Sequence, residues 1–411
     1  FRWRGKVKVD KLFEQLAHAL QHATGYIYPN EVELHWNILI VLYPYITGLV
    51  AGAFILASLE RVFNVREVQP TYRLSLLTAL AFLIVAPIPL QVHLGRPMRG
   101  FEMFTTPHLQ SAMAMFGFVY LWYLMAVLLL EIWFDYRQDL ILWSRQETGL
   151  KKVIHKILTL GATDLSEKSI AFDRKIGKII TIIGIPSAFL LHGYVGFIFG
   201  SVKANPWWSS VLMPIVFLFS AIVSGIALVL LIYMISSLLR LKQIDMACMD
   251  KLGSYLLYMM IIDFSLEALD FIQRLYEAEE SIKILSQMIE SKLFISLVVT
   301  QVIIGTLIPI ASLTLVKLTQ VPAELRRLIY FIAAILVQIG IFSIRWNVVI
   351  GGQLFSKSLR GLTVYKMELL GVEGLLSAGF LLILPLIVLY MLVKILPPWI
   401  KTEVSIKSDV S

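Results

Sequence analysis

The chain has 411 residues, of which 58% are hydrophobic and only 16% charged, with a formal net charge of +8. An ordinary soluble domain has roughly 45–50% apolar and about 25% charged residues, so the composition excludes a soluble globular protein. Several windows longer than about 18 residues carry almost no charge, which is enough for an α-helix to cross the hydrocarbon core of a membrane. The composition therefore predicts an all-α polytopic membrane protein.

Apolar runs bounded by charged residues predict about nine transmembrane helices, within a range of eight to ten. Their approximate ranges are 37–60, 72–92, 110–133, 177–200, 210–237, 253–273, 292–316, 328–346 and 374–397. Ahead of them, residues 10–24 have apolar side chains on one face and predict an amphipathic helix in the membrane interface. The polar stretch 134–176 is too charged for contact with lipid and predicts an ordered surface loop.

The distribution of basic residues predicts the orientation. The loops after odd-numbered spans hold 21 of the 36 Lys and Arg residues, and the remaining 15 include five in the N-terminal tail. Cytoplasmic loops carry the excess of Lys and Arg, so the odd loops are expected inside and the even loops outside, toward the periplasm in a bacterium. Basic residues spread through loops in this way do not indicate a nucleic-acid partner.

The cysteine count limits the cofactors that this chain can carry. Cys248 is the one cysteine, which excludes an internal disulfide, a cysteine-ligated iron–sulfur cluster and a CxxCH haem attachment. A stacked pair of haems is not expected either, because only His192 and, marginally, His93 lie within spans. No metal site is predicted, and the start of the sequence without methionine leaves the true N-terminus open.

The loop after the second span holds a histidine beside two arginines. His93, Arg96 and Arg99 lie where the span ends, with Gly95 and Pro97 interrupting the helix. A histidine beside fixed cations can donate a hydrogen bond to a carbonyl oxygen and exchange a proton near neutral pH, as quinone chemistry requires. The alternative is that the arginines reach lipid headgroups and the histidine caps a helix.

Two residues near the outer ends of later spans have a functional and a structural interpretation. Arg345 ends the eighth span, where a guanidinium needs water, a carboxylate or a ligand oxygen, or serves as an interfacial anchor. Tyr194 could donate its hydroxyl to a quinone oxygen, but tyrosine at an interface is more often part of the aromatic belt, as are Trp207 and Trp208.

The sixth span is the most polar. Asp263, Glu267 and Asp270 are spaced four and three residues apart and so share one helix face. Such a face is expected to point into the bundle or a wet cavity, and similar clusters occur in proton relays. The alternative is that the helix lies near an outer edge and its acids are solvated.

Four segments in order resemble the NrfD/PsrC family of membrane quinone subunits. They are TGLVAGAF in the first span, HLGRP after the second, HGYVGFIFGSVKANPWWSSVLMPIVFLFSAIVSG across the fourth and fifth, and RWNVVIGGQ after the eighth. The chain length and the RWNVVIGGQ segment look more like the HybB, DsrP and QrcD branch than the shorter polysulfide-reductase type. Motifs for nucleotide binding or a catalytic triad are not found.

The resemblance implies two four-helix bundles with flanking helices. Residues 1–35 would form a basic tail and the interfacial helix, and residues 36–201 the first bundle with a cytoplasmic loop at 134–176. Residues 202–350 would form the second bundle. Residues 351–411 would supply an outer loop, the last transmembrane helix and a cytoplasmic tail.

The resemblance also implies menaquinone or a related quinone bound near the outer face. His93, Tyr194 and Arg345 match positions that the family uses around the quinone headgroup, with Arg96 adding positive charge and His93 passing the proton. Tyr43 stands where shorter members have a histidine, and Ser111 lies where some members have an aspartate, so Tyr43 is a further candidate.

The predicted function is the quinone-reactive membrane subunit of a respiratory oxidoreductase complex in a bacterial or archaeal cytoplasmic membrane. The resemblance implies an iron–sulfur partner of ferredoxin type on the periplasmic side, with further cytochrome, hydrogenase or molybdopterin-type subunits, and no haem or iron–sulfur cluster on this chain. Alternatives are a proton-translocating module using Asp263, Glu267 and Asp270, a secondary transporter, and an anchor that binds no quinone. The sequence leaves open the electron donor or acceptor, the direction of flow and the quinone type.

Overall fold

The computed structural model describes residues 25–108, 110–277 and 281–399. The predicted interfacial helix at 10–24 and the C-terminal tail after residue 399 lie outside the described residues.

Long helices make up most of the described chain. In chain order they are α1 Ile38–Arg61, α2 Arg66–His93, α3 Ala114–Gln146, α4 Gly149–Leu158, α5 Glu167–Gly200, α6 Met213–Leu239, α7 Met246–Glu277, α8 Ile282–Leu318, α9 Ala323–Gln353 and α10 Leu375–Ile395. Within the described residues, eight of these are long and apolar enough to cross a membrane. The ninth predicted span corresponds to α7, which is 32 residues long but carries too many charges to qualify by composition. The prediction of an all-α polytopic membrane protein is confirmed.

Eight of the helices pack as two rings of four. In the first ring α1 contacts α2, α2 contacts α3, α3 contacts α5, and α5 returns to α1. In the second ring α6 contacts α7, α7 contacts α8, α8 contacts α9, and α9 returns to α6. The last helix, α10, packs on α2 outside the first ring. The expected architecture of two four-helix bundles with a flanking helix is therefore observed.

The two bundles meet along α1 and α6, at a crossing of small residues. A Cβ atom built on Gly52 would overlap the carbonyl oxygen of Ala221, and one built on Gly225 would overlap the backbone of Gly52. Helices in a membrane gain little hydrophobic energy from association, so close backbone approach at glycine provides the van der Waals contact that holds them together. The helix α1 is consequently buried on nearly all sides.

The loop predicted over 134–176 is largely helical. Helix α3 continues to Gln146, α4 covers Gly149–Leu158 and α5 begins at Glu167. Arg137 accounts for part of this order, because its guanidinium pairs with Asp173 at 2.6 Å and so ties the polar ends of α3 and α5 together. The stretch is too charged for lipid, as expected, but the helices extend beyond the apolar windows.

The end of the molecule at which α1 begins and α2 ends, here called the His93 end, carries a folded cap. It is made of residues 25–36, the loop 201–212 and the segment 354–374, joined by isolated bridges such as Tyr26 to Arg360. The interpretation of Trp207 and Trp208 as belt residues is wrong. Both are buried, and their indole nitrogens donate to the carbonyl oxygens of Asn347 at 2.8 Å and Val348 at 2.6 Å.

Candidate functional site

His93 ends α2 in a small polar cluster at the His93 end. Its Nδ1 lies 3.1 Å from Oε1 of Glu373 and 3.4 Å from Nδ2 of Asn37. Asn37 also donates to the second carboxylate oxygen of Glu373, while its side-chain oxygen accepts from the Leu39 amide and caps α1. The cluster therefore brings together the start of α1, the end of α2 and the loop before α10.

This arrangement leaves one face of the imidazole ring free. Among the described residues, Nε2 of His93 has no hydrogen-bond partner, and the side chain is 24% exposed. A carboxylate on Nδ1 fixes the orientation of the ring and stabilises its protonated form. His93 is thus held so that Nε2 can accept a proton from a group outside the protein, or return one to it.

Tyr43 and Tyr194 lie at the same end of the first bundle, on either side of Phe116. The ring of Tyr194 stacks on Phe116 at 6.2 Å between centroids, and Phe116 meets Tyr43 edge-on at 5.4 Å. The Tyr43 hydroxyl is buried and has no hydrogen-bond partner in the described part of the chain. A buried hydroxyl without a partner costs free energy, which a ligand oxygen would recover.

Arg96 is exposed three residues after His93, before the short 3-10 helix Pro97–Phe101. It shares the His93 end with the polar cluster but takes no part in the contacts of His93. Its exposed guanidinium adds positive charge at the entrance to this region.

Arg345 lies inside the protein and is fully buried, so its interpretation as an interfacial anchor does not hold. Its Nη2 donates to Oγ of Ser220 at 2.6 Å and lies 3.2 Å from Nε2 of His192, while the guanidinium sits 4.1 Å from the centre of the Phe217 ring. Its Nε and Nη1 have no partner in the described part of the chain. Arg345 therefore joins α9 to α5 and α6 at the junction between the bundles.

The structure separates Arg345 from His93. His192, its neighbour, packs over Gly48, where a Cβ atom would lie 3.1 Å from the imidazole. Gly48 is eleven residues beyond Asn37, or about 16 Å along a helix that rises 1.5 Å per residue. His93 contacts Asn37 itself. The residues expected around one headgroup thus fall into two groups at different depths.

Two of the three acids on α7 belong to the deeper group. Asp263 and Glu267 line a cavity of about 10 Å³ between α7, α8 and α9, which is room for roughly one water molecule. One oxygen of each carboxylate is buried without a partner in the described chain, and the second oxygen of Glu267 accepts from Gln301 at 3.2 Å. Both carboxylates interact electrostatically with Arg345.

Asp270 is engaged differently. It pairs with Arg274 at 2.6 Å and accepts from the hydroxyl of Ser210, and Arg274 in turn donates to the carbonyl oxygen of Trp207. This pair holds the loop 201–212 against α7. With Asp263 and Asp270 both buried, the alternative in which these acids are simply solvated does not hold.

Sequence reasoning did not identify Glu373, His192 or Ser220 as site residues. Glu373 is 280 residues from His93 along the chain, and Ser220 is 125 residues from Arg345. The one available signal was for His192, a histidine within a span, where polar side chains are costly unless they have partners.

Comparison with known proteins gives a consistent result. The family model described as "Polysulphide reductase, NrfD" matches residues 29–357. The C subunit of the selenate reductase of Mesobacillus selenatarsenatis is 32% identical over 322 residues, which are 77% of this chain and 73% of that protein.

Two further relatives match over shorter stretches. The putative C-type membrane subunit of a dimethyl sulfoxide reductase from Halobacterium salinarum is 29% identical over 54% of this chain and 48% of its own length. Protein NrfD of Escherichia coli is 25% identical over 48% of this chain and 59% of its own length.

Proposed function

This chain belongs to the NrfD family, and from that premise we propose that it is the quinone-reactive membrane subunit of an oxidoreductase complex. The observation that carries the proposal is the cluster at the His93 end, where a histidine oriented by Glu373 leaves Nε2 free. The names of two relatives, which are subunits of selenate and dimethyl sulfoxide reductases, support the same class of role.

The residues present fit a quinone headgroup. Such a ligand offers two carbonyl oxygens, and the site offers His93 Nε2 and the unpartnered hydroxyl of Tyr43. Phe116 and Tyr194 supply aromatic surface beside them. When bound, menaquinone or a related quinone would supply two-electron redox chemistry coupled to proton exchange, which no side chain of this protein can supply alone.

The part of this chain in that chemistry is to hold and move a proton. With Glu373 accepting from Nδ1, a neutral His93 presents an acceptor at Nε2, and the carboxylate stabilises the imidazolium that forms when Nε2 takes up a proton. The exposed Arg96 adds positive potential near the same site and favours negative charge on a bound ligand.

We assign the electron-transfer partner to the cap at the His93 end. A cavity of about 260 Å³ is formed there by the N-terminal segment, the loop 201–212 and the segment 351–363, with Glu31, His35 and Lys357 in its walls. An iron–sulfur subunit docked here would lie above His93. On the positive-inside rule this end faces the periplasm.

The test is the binding of a quinol analogue to the purified protein, followed by quenching of the analogue's fluorescence. We expect saturable binding in the wild type and a loss of at least tenfold in affinity for His93→Ala, because the group that meets the ligand oxygen is removed. His108→Ala is the matched control, since His108 is an exposed histidine in the same loop region. Equal affinity in His93→Ala and wild type would refute the proposed site.

A second candidate function, proton translocation coupled to quinone turnover, is favoured by the buried acids of α7. Asp263 and Glu267 line the same cavity with a single nearby guanidinium, that of Arg345. One positive charge balances one carboxylate, so charge balance in a buried site favours a proton on the other. A carboxyl pair that holds one proton beside a water-sized cavity is suited to proton transfer.

Glu267→Gln separates the two candidates. In proteoliposomes that contain the complete complex, we expect this variant to keep quinone turnover within about twofold of the wild type while the membrane potential per turnover falls. Glu277→Gln, the same change at an exposed acid of α7, is the control. An unchanged ratio of potential to turnover in Glu267→Gln would exclude the translocation role.

A further inference from the structure

A second pocket opens at the end of the second bundle opposite the His93 end. It has a volume of about 270 Å³ and lies where α7 begins, α8 ends and α9 begins. One wall is apolar, formed by Leu257, Leu313 and Val316, and the other is polar, formed chiefly by Ser254, Lys317 and Arg326. An apolar wall beside a basic wall is suited to an amphipathic anion.

The charges in this pocket leave a positive excess. Its carboxylate, Asp250, is already engaged, because Oδ1 accepts from Tyr330 at 2.9 Å and Oδ2 from Arg326 Nη1 at 2.6 Å. Lys317 donates one hydrogen bond, to Ser254 at 3.0 Å, and an ammonium group has three donors. Two cations therefore face one carboxylate, and Lys317 retains donors for a ligand.

Arg326 also has an unused donor. Its Nε is buried and has no hydrogen-bond partner in the described part of the chain. Arg326 lies in the first turn of α9, where the helix dipole adds positive potential. A phosphate oxygen at this position would satisfy a donor that is otherwise costly to bury.

The surface around the pocket is that of a lipid boundary. Leu315 and Leu318 at the end of α8, and Leu325 and Leu328 at the start of α9, are exposed to between 48% and 79%. Exposed leucines flanking a basic pocket at the end of a transmembrane bundle match the requirement of a lipid, whose acyl chains need apolar surface beside its headgroup.

We propose that this pocket binds the phosphate group of an anionic phospholipid, with Lys317 and Arg326 on the phosphate and the acyl chains along the leucines of α8 and α9. The site is independent of quinone binding, since it lies at the other end of the molecule and in the other bundle. Bound lipid would brace the ends of α7, α8 and α9 against one another, around the helix α7 that carries Asp263 and Glu267.

Native mass spectrometry of the full chain, delipidated in detergent and then titrated with phosphatidylglycerol, tests the proposal. We expect a saturable lipid adduct in the wild type, with affinity reduced about fivefold for each cation removed in Lys317→Gln and Arg326→Gln. Arg327→Gln removes the neighbouring arginine, which does not line the pocket, and should bind like the wild type. Equal binding by all four proteins would overturn the proposal.

Two further ligands distinguish the source of the phosphate. Phosphatidylcholine should bind at least tenfold more weakly than phosphatidylglycerol, and inorganic phosphate should not compete at millimolar concentration. Equal binding of phosphatidylcholine would show that net negative charge is not recognised, and effective competition by phosphate would assign the pocket to a soluble anion. Lys317 is exposed, so Lys317→Gln is expected to fold even if Arg326→Gln, which frees Asp250, does not.

Discussion

Among single residues, Arg345 carries the largest electrostatic cost in the described structure. A guanidinium removed from water is tolerated when its charge is balanced and its donors are engaged. Arg345 has one donor engaged by Ser220, an aromatic ring beneath it, and two acids of α7 within electrostatic range. Its removal would leave those acids in a buried site without a counter-charge.

Arg345→Met should therefore lower the free energy of unfolding by on the order of 3 kcal/mol. The expected readout is a fall of several degrees in the thermal unfolding midpoint of the purified protein. The double variant Arg345→Met/Asp263→Asn should recover part of the loss, since it removes an acid together with the cation. Arg99→Met, at an arginine whose side chain is 65% exposed, should change the midpoint little. A double variant no more stable than Arg345→Met would contradict this charge balance.

The pairing of residues was the part of the site that sequence reasoning could not reach. His93 and Arg345 were identified because histidine and arginine next to a span are unusual. Their partners, Glu373 and Ser220, are ordinary residues in isolation and become significant only because helices far apart in sequence pack together. The sequence also grouped His93 with Arg345, which the structure places at different depths.

Among the elements, the cap depends on contacts between segments at the two ends of the chain. Glu31 accepts hydrogen bonds from Ser356 Oγ at 2.5 Å and from the Lys357 amide at 3.0 Å. Burial raises the pKa of Glu31, but these hydrogen bonds and the charge of Lys357 outweigh it and hold the pKa below its ordinary value of 4.5. The ionised carboxylate is therefore the form that stabilises the cap.

This pKa shift sets the sign of a pH dependence. A carboxyl whose pKa is lower in the folded state stabilises at neutral pH, and its contribution decreases as the pH falls below the ordinary value of 4.5 toward the lowered one. We expect amide exchange in residues 354–363, corrected for its intrinsic pH dependence, to accelerate over that range. Glu31→Gln should show faster exchange already at neutral pH and little further change. Identical profiles for the variant and wild type would remove Glu31 from the account of the cap.

The tryptophans of the loop 201–212 show how an element can change the meaning of a residue. Their sequence position beside a span is typical of the aromatic belt. The loop instead folds back onto the end of α9, and Gly352 leaves the space that Trp208 occupies, since a Cβ atom there would overlap the indole. The conspicuous segments ANPWW and RWNVVIGGQ are therefore two halves of one packing contact.

Across the whole molecule, polar groups concentrate in separate regions of an otherwise apolar protein. The cluster at the His93 end belongs to the first bundle, and the Arg345 group lies deeper, where the bundles meet. A quinone site and a proton-transfer site can thus be altered independently. The variants His93→Ala and Glu267→Gln therefore report on different functions.

The class of fold, an all-α membrane protein with about nine helices, was predictable from the amino-acid sequence. The backbone hydrogen bonds of a span are local, so a window of about 20 apolar residues is sufficient to identify it. Which polar side chains meet was not predictable in this way. Packing of the bundles brought Glu373 to His93 and Ser220 to Arg345 and buried the acids of α7.

Packing also extended helices through 134–176, where polar contacts such as Arg137 with Asp173, not hydrophobicity, hold the segment. These contacts join residues that are far apart in the chain, and they form only when whole helices take up their places beside one another. A local pattern of apolar and polar residues encodes where a helix lies in the sequence, but not which helix it will face.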